Sequence, residues 1–151
     1  FLLLAQRKKK AMGKVQILAV LTMDGCLSSE LYDKAHQDLC LDRCGLDEIR
    51  KKAFYRVTPD YSISMLHEWR KDCTNIRYLA EATPDTADYI NGLLRMHAVD
   101  EIILYTVPFI SGSGRHFFKS ALPEQHWTLS SLKSYPNGVC RIIYILDKKA
   151  R

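Results

Sequence analysis

No stretch of the sequence approaches the ~20 consecutive apolar residues that a membrane-crossing helix needs. The opening run Phe1-Leu2-Leu3-Leu4-Ala5 is short, and its basic cluster, Arg7, Lys8, Lys9 and Lys10, follows it. A secretory signal has the opposite order and a longer apolar region. Cys26, Cys40, Cys44, Cys73 and Cys140 form neither an even set nor a C-x-x-C pair. That excludes a disulfide framework and points to reduced thiols in a cytoplasmic protein. There is no G-x-S-x-G elbow, no P-loop and no H-E-x-x-H, so the common hydrolase and phosphate-transfer signatures are missing. A broad basic face is missing too. Much of the net charge of +5 comes from Arg7, Lys8, Lys9, Lys10 and Lys14 near the start and from Lys148, Lys149 and Arg151 at the end. This pattern does not indicate nucleic-acid binding.

What is present is an ordinary globular composition, 47% apolar and 26% charged. A chain of 151 residues suffices for one domain with a real core, because such a domain buries roughly 70% of the surface its unfolded chain exposes. Met12-Gly13-Lys14 reads as a natural start. Residues 1–11 are therefore expected to be an N-terminal extension or expression remnant, and residues 12–151 a single domain.

The run Val15 to Leu21 is apolar at nearly every position, as expected of a strand covered on both faces, and it ends at the turn Met23-Asp24-Gly25. Ser28 or Ser29 can cap a helix with Leu31, Ala35 and Leu39 as its buried stripe, and Gly45 supplies its stop. A second helix is predicted over Leu46 to Ala53 and a short strand over Phe54 to Thr58, closed by Pro59-Asp60. A short helix over Ser62 to Trp69 and a strand over Asn75 to Glu81 follow. The next helix is predicted to start with Thr83 as N-cap and Pro84 in its first position, presenting Ala87, Ile90, Leu93 and Leu94. Ile102 to Val107 reads as a second buried strand, ending at Pro108 and the loop Ile110 to Arg115. Trp127 to Lys133 and Val139 to Leu146, joined by Tyr135-Pro136-Asn137-Gly138, read as an antiparallel pair.

Strands alternating with helices, then a terminal antiparallel pair, imply an α/β fold with a mixed, mostly parallel sheet and helices on both faces. Ligands of such sheets sit beyond the carboxyl ends of the strands. Asp24 lies there as a polar substrate or proton-handling residue, or merely as a turn former. Ser28 either touches substrate or caps its helix. Gly112, Ser113 and Gly114 form a turn that lets backbone approach a ligand. Arg115 and His116 either touch a phosphate or ribose or simply face solvent. His36, Cys40 and Cys44 share one helical face, but three ligands along two turns of one helix cannot reach one tetrahedral ion without strain, so no metal site is expected.

The motifs Leu21-Thr22-Met23-Asp24-Gly25-Cys26-Leu27-Ser28 and Ala98-Val99-Asp100-Glu101-Ile102-Ile103-Leu104-Tyr105-Thr106-Val107-Pro108, the latter followed by Gly112-Ser113-Gly114 and by Phe117 or Phe118, resemble known sequences. They resemble the dihydrofolate reductase-like superfamily, and within it the C-terminal pyrimidine reductase domain of the bacterial riboflavin-biosynthesis enzyme. The likeness anchors both ends of residues 15–146. It implies NADPH-dependent reduction of a pyrimidine- or pterin-like small molecule, with 5-amino-6-(5-phosphoribosylamino)uracil reductase as the reference activity, and a homodimer with Trp127 and Tyr144 on the pairing face. Carried over by position, it implies a catalytic role for Asp24, substrate contacts for Ser28 and Arg56, and cofactor contacts for Thr58, Glu81, Thr83, Gly112, Ser113, Gly114 and Arg115.

The middle of the chain departs from this pattern and is shorter by about one strand and helix. Tyr55-Arg56-Val57-Thr58-Pro59 stands where the family has G-R-x-T, and Glu81-Ala82-Thr83-Pro84-Asp85 where it has the E-G-G turn that receives the cofactor phosphates. Proline removes an N–H donor, and Asp85 adds negative charge where a phosphate would sit. The alternative is therefore a divergent, non-catalytic member serving as a nucleotide-binding or assembly module.

Overall fold

The computed structural model describes residues 13–27, 41–72, 75–112 and 114–147. The expected N-terminal extension, the helix after Ser28, Ser28 itself and Ser113 lie outside these residues, as do His36 and Cys40.

The architecture starts from β1 (Lys14–Leu21), whose branched side chains are buried on both faces. It pairs in parallel with β4 (Arg77–Glu81) on one side and β5 (Glu101–Thr106) on the other. Alternation along β1 sends Val15, Ile17, Ala19 and Leu21 into one core, and Leu18 and Val20 into the other. The first core is closed by α2 (Ile63–Asp72) and α3 (Ala87–Arg95) through Leu66, Ile90 and Leu93. The second is closed by the 3₁₀ turn Leu41–Cys44 and α1 (Leu46–Lys52) through Leu41 and Leu46. Gly45 enters α1 at φ 81°, and the acids Asp47 and Glu48 precede the cations Arg50, Lys51 and Lys52, in the order the helix dipole favours.

The six-stranded sheet runs β3-β4-β1-β5-β8-β7, with β3 (Tyr55–Arg56), β7 (Trp127–Ser134) and β8 (Cys140–Leu146). Strands β3, β4, β1 and β5 are parallel, and β8 and β7 close the far edge antiparallel. The result is an α/β fold of mixed, mostly parallel sheet with helices on both faces. Two short strands, β2 (Cys26–Leu27) and β6 (Arg115–His116), form a separate antiparallel ribbon at the carboxyl edge. Asp100 ties the start of β1 to the rest: its carboxylate accepts the Val15 N–H at 2.9 Å and faces buried Arg70 of α2 at 3.5 Å.

Beyond shifts of one or two residues and the β2–β6 ribbon, three element boundaries differ from the sequence reading in ways that matter to packing. The strand at Phe54 to Thr58 is only Tyr55–Arg56, because it is an edge strand whose outer side has no ladder partner. The short helix begins after Ser62, which accepts the Met65 N–H at 3.1 Å, and continues to Asp72, because Arg70 is anchored by Asp100. The largest correction concerns α3. Thr83 is not its N-cap and Pro84 not its first residue; the helix begins at Ala87 with Thr86 as cap, since residues 83–86 close on themselves as a turn.

Among the described residues Cys26, Cys44 and Cys140 are free thiols, and no helix is long and apolar enough to cross a membrane.

Candidate functional site

The carboxyl ends of β3, β4, β1 and β5 lie side by side. At roughly 4.8 Å per strand spacing, this edge spans about 14 Å. It carries two clusters.

The first joins the turn after β1 to the loop after β5. Asp24 Oδ1 accepts the Thr22 hydroxyl and the Ser111 N–H, the latter at 3.1 Å, and Oδ2 accepts the Gly112 N–H at 2.9 Å. These bonds, the Thr22 hydroxyl foremost, hold the Asp24 carboxyl well below the usual carboxylate range. It is therefore an anion at neutral pH. Further bonds knit the same two segments: Met23 N–H to Phe109 O at 2.7 Å, Val107 N–H to Leu21 O at 2.9 Å and Phe117 N–H to Gly25 O at 3.0 Å. Burial and the neighbouring Asp24 charge push the Cys26 thiol up, so it is no nucleophilic thiolate.

The two described glycines of the loop have different causes. Gly112 adopts φ 73°, and no described residue lies within 4 Å of where a Cβ would stand, so its outer side is open toward the described part of the protein. Gly114 has the opposite surroundings: a Cβ there would stand 2.6 Å from Ser111 Oγ and 2.9 Å from Cys26 Cβ. The space that the sequence reading reserved for a ligand at Gly114 is filled by the protein's own loop and turn. Arg115 is exposed on β6.

The second cluster sits at the ends of β3 and β4. Glu81 pairs with Arg50 of α1 and, at 3.6 Å, with Arg56. Two arginines share one glutamate, which leaves a net charge of +1 on the trio. Beyond it, Thr83 N–H donates to Thr86 Oγ1 at 2.8 Å, Thr86 N–H donates to Thr83 O at 3.1 Å, and Thr86 Oγ1 donates to Glu81 O at 2.9 Å. Ala82 N–H is used by Leu18 O at 2.7 Å. The Ala82, Thr83 and Thr86 N–H groups are therefore used within the protein, and Pro84 has none, so residues 82–84 do not receive a pyrophosphate in the manner the resemblance implies. Thr58 accepts the Asp60 N–H at 3.3 Å in a local turn, with no bond to Asp24, Arg50, Arg56 or Glu81 among the described residues.

Asp24, Gly112, Gly114 and Arg115 are thus brought together, and Arg56, Glu81 and Thr83 form a neighbouring group. Arg50, Thr22 and Thr86 were missed by sequence reasoning. Arg50 had no signal, since its helical position reads as a solvent face. Thr86 is a second hydroxyl three residues after Thr83, a spacing at which a closed turn could have been weighed.

No family profile matches the chain, and no curated protein matches it by sequence. Solved structures do match by fold. A putative riboflavin biosynthesis protein from Shewanella sp. PV-4 superposes with a TM-score of 0.59 at 11% identity, covering 89% of this chain and 99% of that one. RibD from Acinetobacter baumannii gives 0.56 at 11% identity over 91% of this chain, which spans 59% of that protein. A diaminohydroxyphosphoribosylaminopyrimidine deaminase/5-amino-6-(5-phosphoribosylamino)uracil reductase from Thermotoga maritima gives 0.54 at 10% identity over 90% of this chain and 57% of that one. The chain has the dihydrofolate reductase-like fold of the RibD C-terminal pyrimidine reductase domain.

Proposed function

We propose that the chain is a cytoplasmic reductase-fold domain that binds a pyrimidine- or pterin-like small molecule at the carboxyl edge of its sheet and reduces it, with NADPH as the reductant the reading requires. The observation that carries this is the Asp24 clamp. It locks the turn after β1 to the loop after β5, so that two adjacent strand ends present one preorganised polar surface. Asp24 serves here as a positioning residue. Gly112, with its open outer face, and Arg115 are assigned to the cofactor and Arg56 to the substrate; the roles the resemblance gives Ser113 and Ser28 fall on residues outside those described. When bound, NADPH supplies the hydride. Its phosphates are not received at residues 82–85 in the usual mode, and Arg50 and Arg56 are the cations this end of the sheet offers instead.

The closed Thr83–Thr86 turn favours a second reading, a non-catalytic nucleotide-binding or assembly module. Thermal melting of the full chain with NADPH separates the two: a raised melting temperature at sub-millimolar NADPH supports the reductase, and no shift at several millimolar removes it. Glycines at Ala82 and Thr83 with Asp85→Ser test the cause, because recovered binding identifies the turn as what was lost. A homodimer through β7 and β8, where Leu129 and Leu132 are exposed, is expected by sedimentation; monomer alone would remove it.

A further inference from the structure

At the end of the sheet opposite the candidate site, a pocket of about 300 Å³ is lined by Lys14, Lys52, Asn75 and Arg77. Seven residue rises of β1 separate Lys14 from Leu21, about 23 Å, so this pocket and the Asp24 clamp are distinct places. Three cations and an amide meet there, with no carboxylate among the described lining residues.

Lys14, Lys52 and Arg77 are exposed side chains of like charge that repel one another through solvent. Lys14 and Arg77 are register partners on adjacent parallel strands, a directly opposed like-charge pair of the kind that destabilises a sheet. Alternation puts them on the α1 face, the side opposite Val15 and Tyr78, where Lys52 from the last turn of α1 joins them. No ion pair links Lys14, Lys52 or Arg77 to an acid among the described residues. By contrast, Lys51, one residue from Lys52, has its own partner in Asp47 at 3.2 Å. Asn75 completes the wall from a left-handed backbone at φ 58°, with its side chain exposed. The concavity continues beneath α1 into a second pocket of about 210 Å³, which shares Lys52 and Arg77 and is also lined by Arg141 and by the carboxylates of Glu48 and Glu101, the latter accepting from Gln16 at 3.1 Å. The excess of positive charge is therefore confined to the first pocket, whose three described cations concentrate the field on a small anion.

We propose that this pocket is an anion site for a phosphate group, either free or carried as a phosphomonoester on a small molecule. The phosphate oxygens take the Lys14 and Lys52 ammonium groups and the Arg77 guanidinium, relieving the repulsion that the empty pocket holds. It lies at the far end of β1 from the reductase surface, so ligation here does not depend on that reading being right.

Isothermal titration of the full chain at low ionic strength, with inorganic pyrophosphate and with a nucleoside monophosphate as separate probes, tests the site. Saturable binding of either is expected, weakened at least tenfold in Lys52→Glu and in Arg77→Gln and unchanged in Asp24→Asn. Pyrophosphate alone identifies a free phosphate, and the monophosphate binding more tightly identifies an organic one; both support the site. Because the opposed charges destabilise the free protein, Arg77→Gln should melt no lower than wild type without anion, and lower than wild type with it. The proposal is overturned by absence of binding at millimolar probe, by binding that ignores both substitutions, or by binding of a single-stranded oligonucleotide in the absence of any pyrophosphate or monophosphate effect.

Discussion

Two turns at the carboxyl edge of the sheet flank the end of β1 and are held in opposite ways. The loop after β5 is fastened from a distance: Asp24 takes the N–H groups of Ser111 and Gly112 from 87 and 88 residues earlier in the chain, and Asn91 of α3 donates to Phe117 O and accepts from Lys119 N–H. The turn after β4 is fastened by itself, with Thr83 and Thr86 exchanging bonds three residues apart. A loop held from elsewhere keeps its open side available, as Gly112 does. A turn that closes on itself uses the Thr83 and Thr86 N–H groups that a phosphate would otherwise take, and this difference separates the two parts of the edge.

The comparison can be broken most forcefully at Asn91, which is fully buried with bonds of 2.7 Å to Ala87 O, 2.8 Å to Phe117 O and 3.0 Å from Lys119 N–H. Asn91→Ala strands these groups and should lower the unfolding free energy by about 3 kcal/mol. Urea denaturation checks it, and a loss below about 1 kcal/mol would mean that α3 does not hold the loop. Next comes Gly114→Ala, where the new methyl meets Ser111 and Cys26 and should cost about 2 kcal/mol by overpacking. Gly112→Ala meets nothing and should cost only the left-handed backbone, about 1 kcal/mol. Equal losses at the two glycines would show that packing does not distinguish them.

On the other side of the comparison, Thr86→Val removes the hydroxyl that serves both Thr83 N–H and Glu81 O. It should cost about 1 kcal/mol while leaving amide exchange at Ser111 and Gly112 unchanged. Faster exchange there would join two regions described as independent. The last effect is confined to acid solution. Asp24 has a folded pKa below its ordinary value of 3.8, so its contribution to stability is complete above that value and is lost as pH falls through it toward the folded pKa. Acid titration of wild type against Asp24→Asn should show the difference between them shrinking only below about pH 4; a constant difference down to pH 2 would contradict the clamp.

Much of the fold could be read in the sequence because β1, β5 and the terminal hairpin carry strong local signals. Unbroken apolar runs mark strands covered on both faces, and Tyr135 to Gly138 marks the turn between β7 and β8. The start of α3 was misread because Thr83-Pro84 fits a helix entry by composition, and only the position of Thr86 under Glu81 O makes it a turn. At the site, Asp24 and Gly112 could be named in advance, but not their bond, and Arg50 could not be named at all, because its ion pair with Glu81 depends on where α1 lies over the sheet.

The sequence by itself determined the long strands of the sheet and its α/β character, since period and turn chemistry are properties of neighbouring residues. Tertiary structure alone decided what the turns at its carboxyl edge do. Whether a glycine opens onto solvent or onto Cys26, whether a carboxylate is free or already holds two backbone amides, and whether three cations gather around one pocket all depend on contacts between residues tens of positions apart.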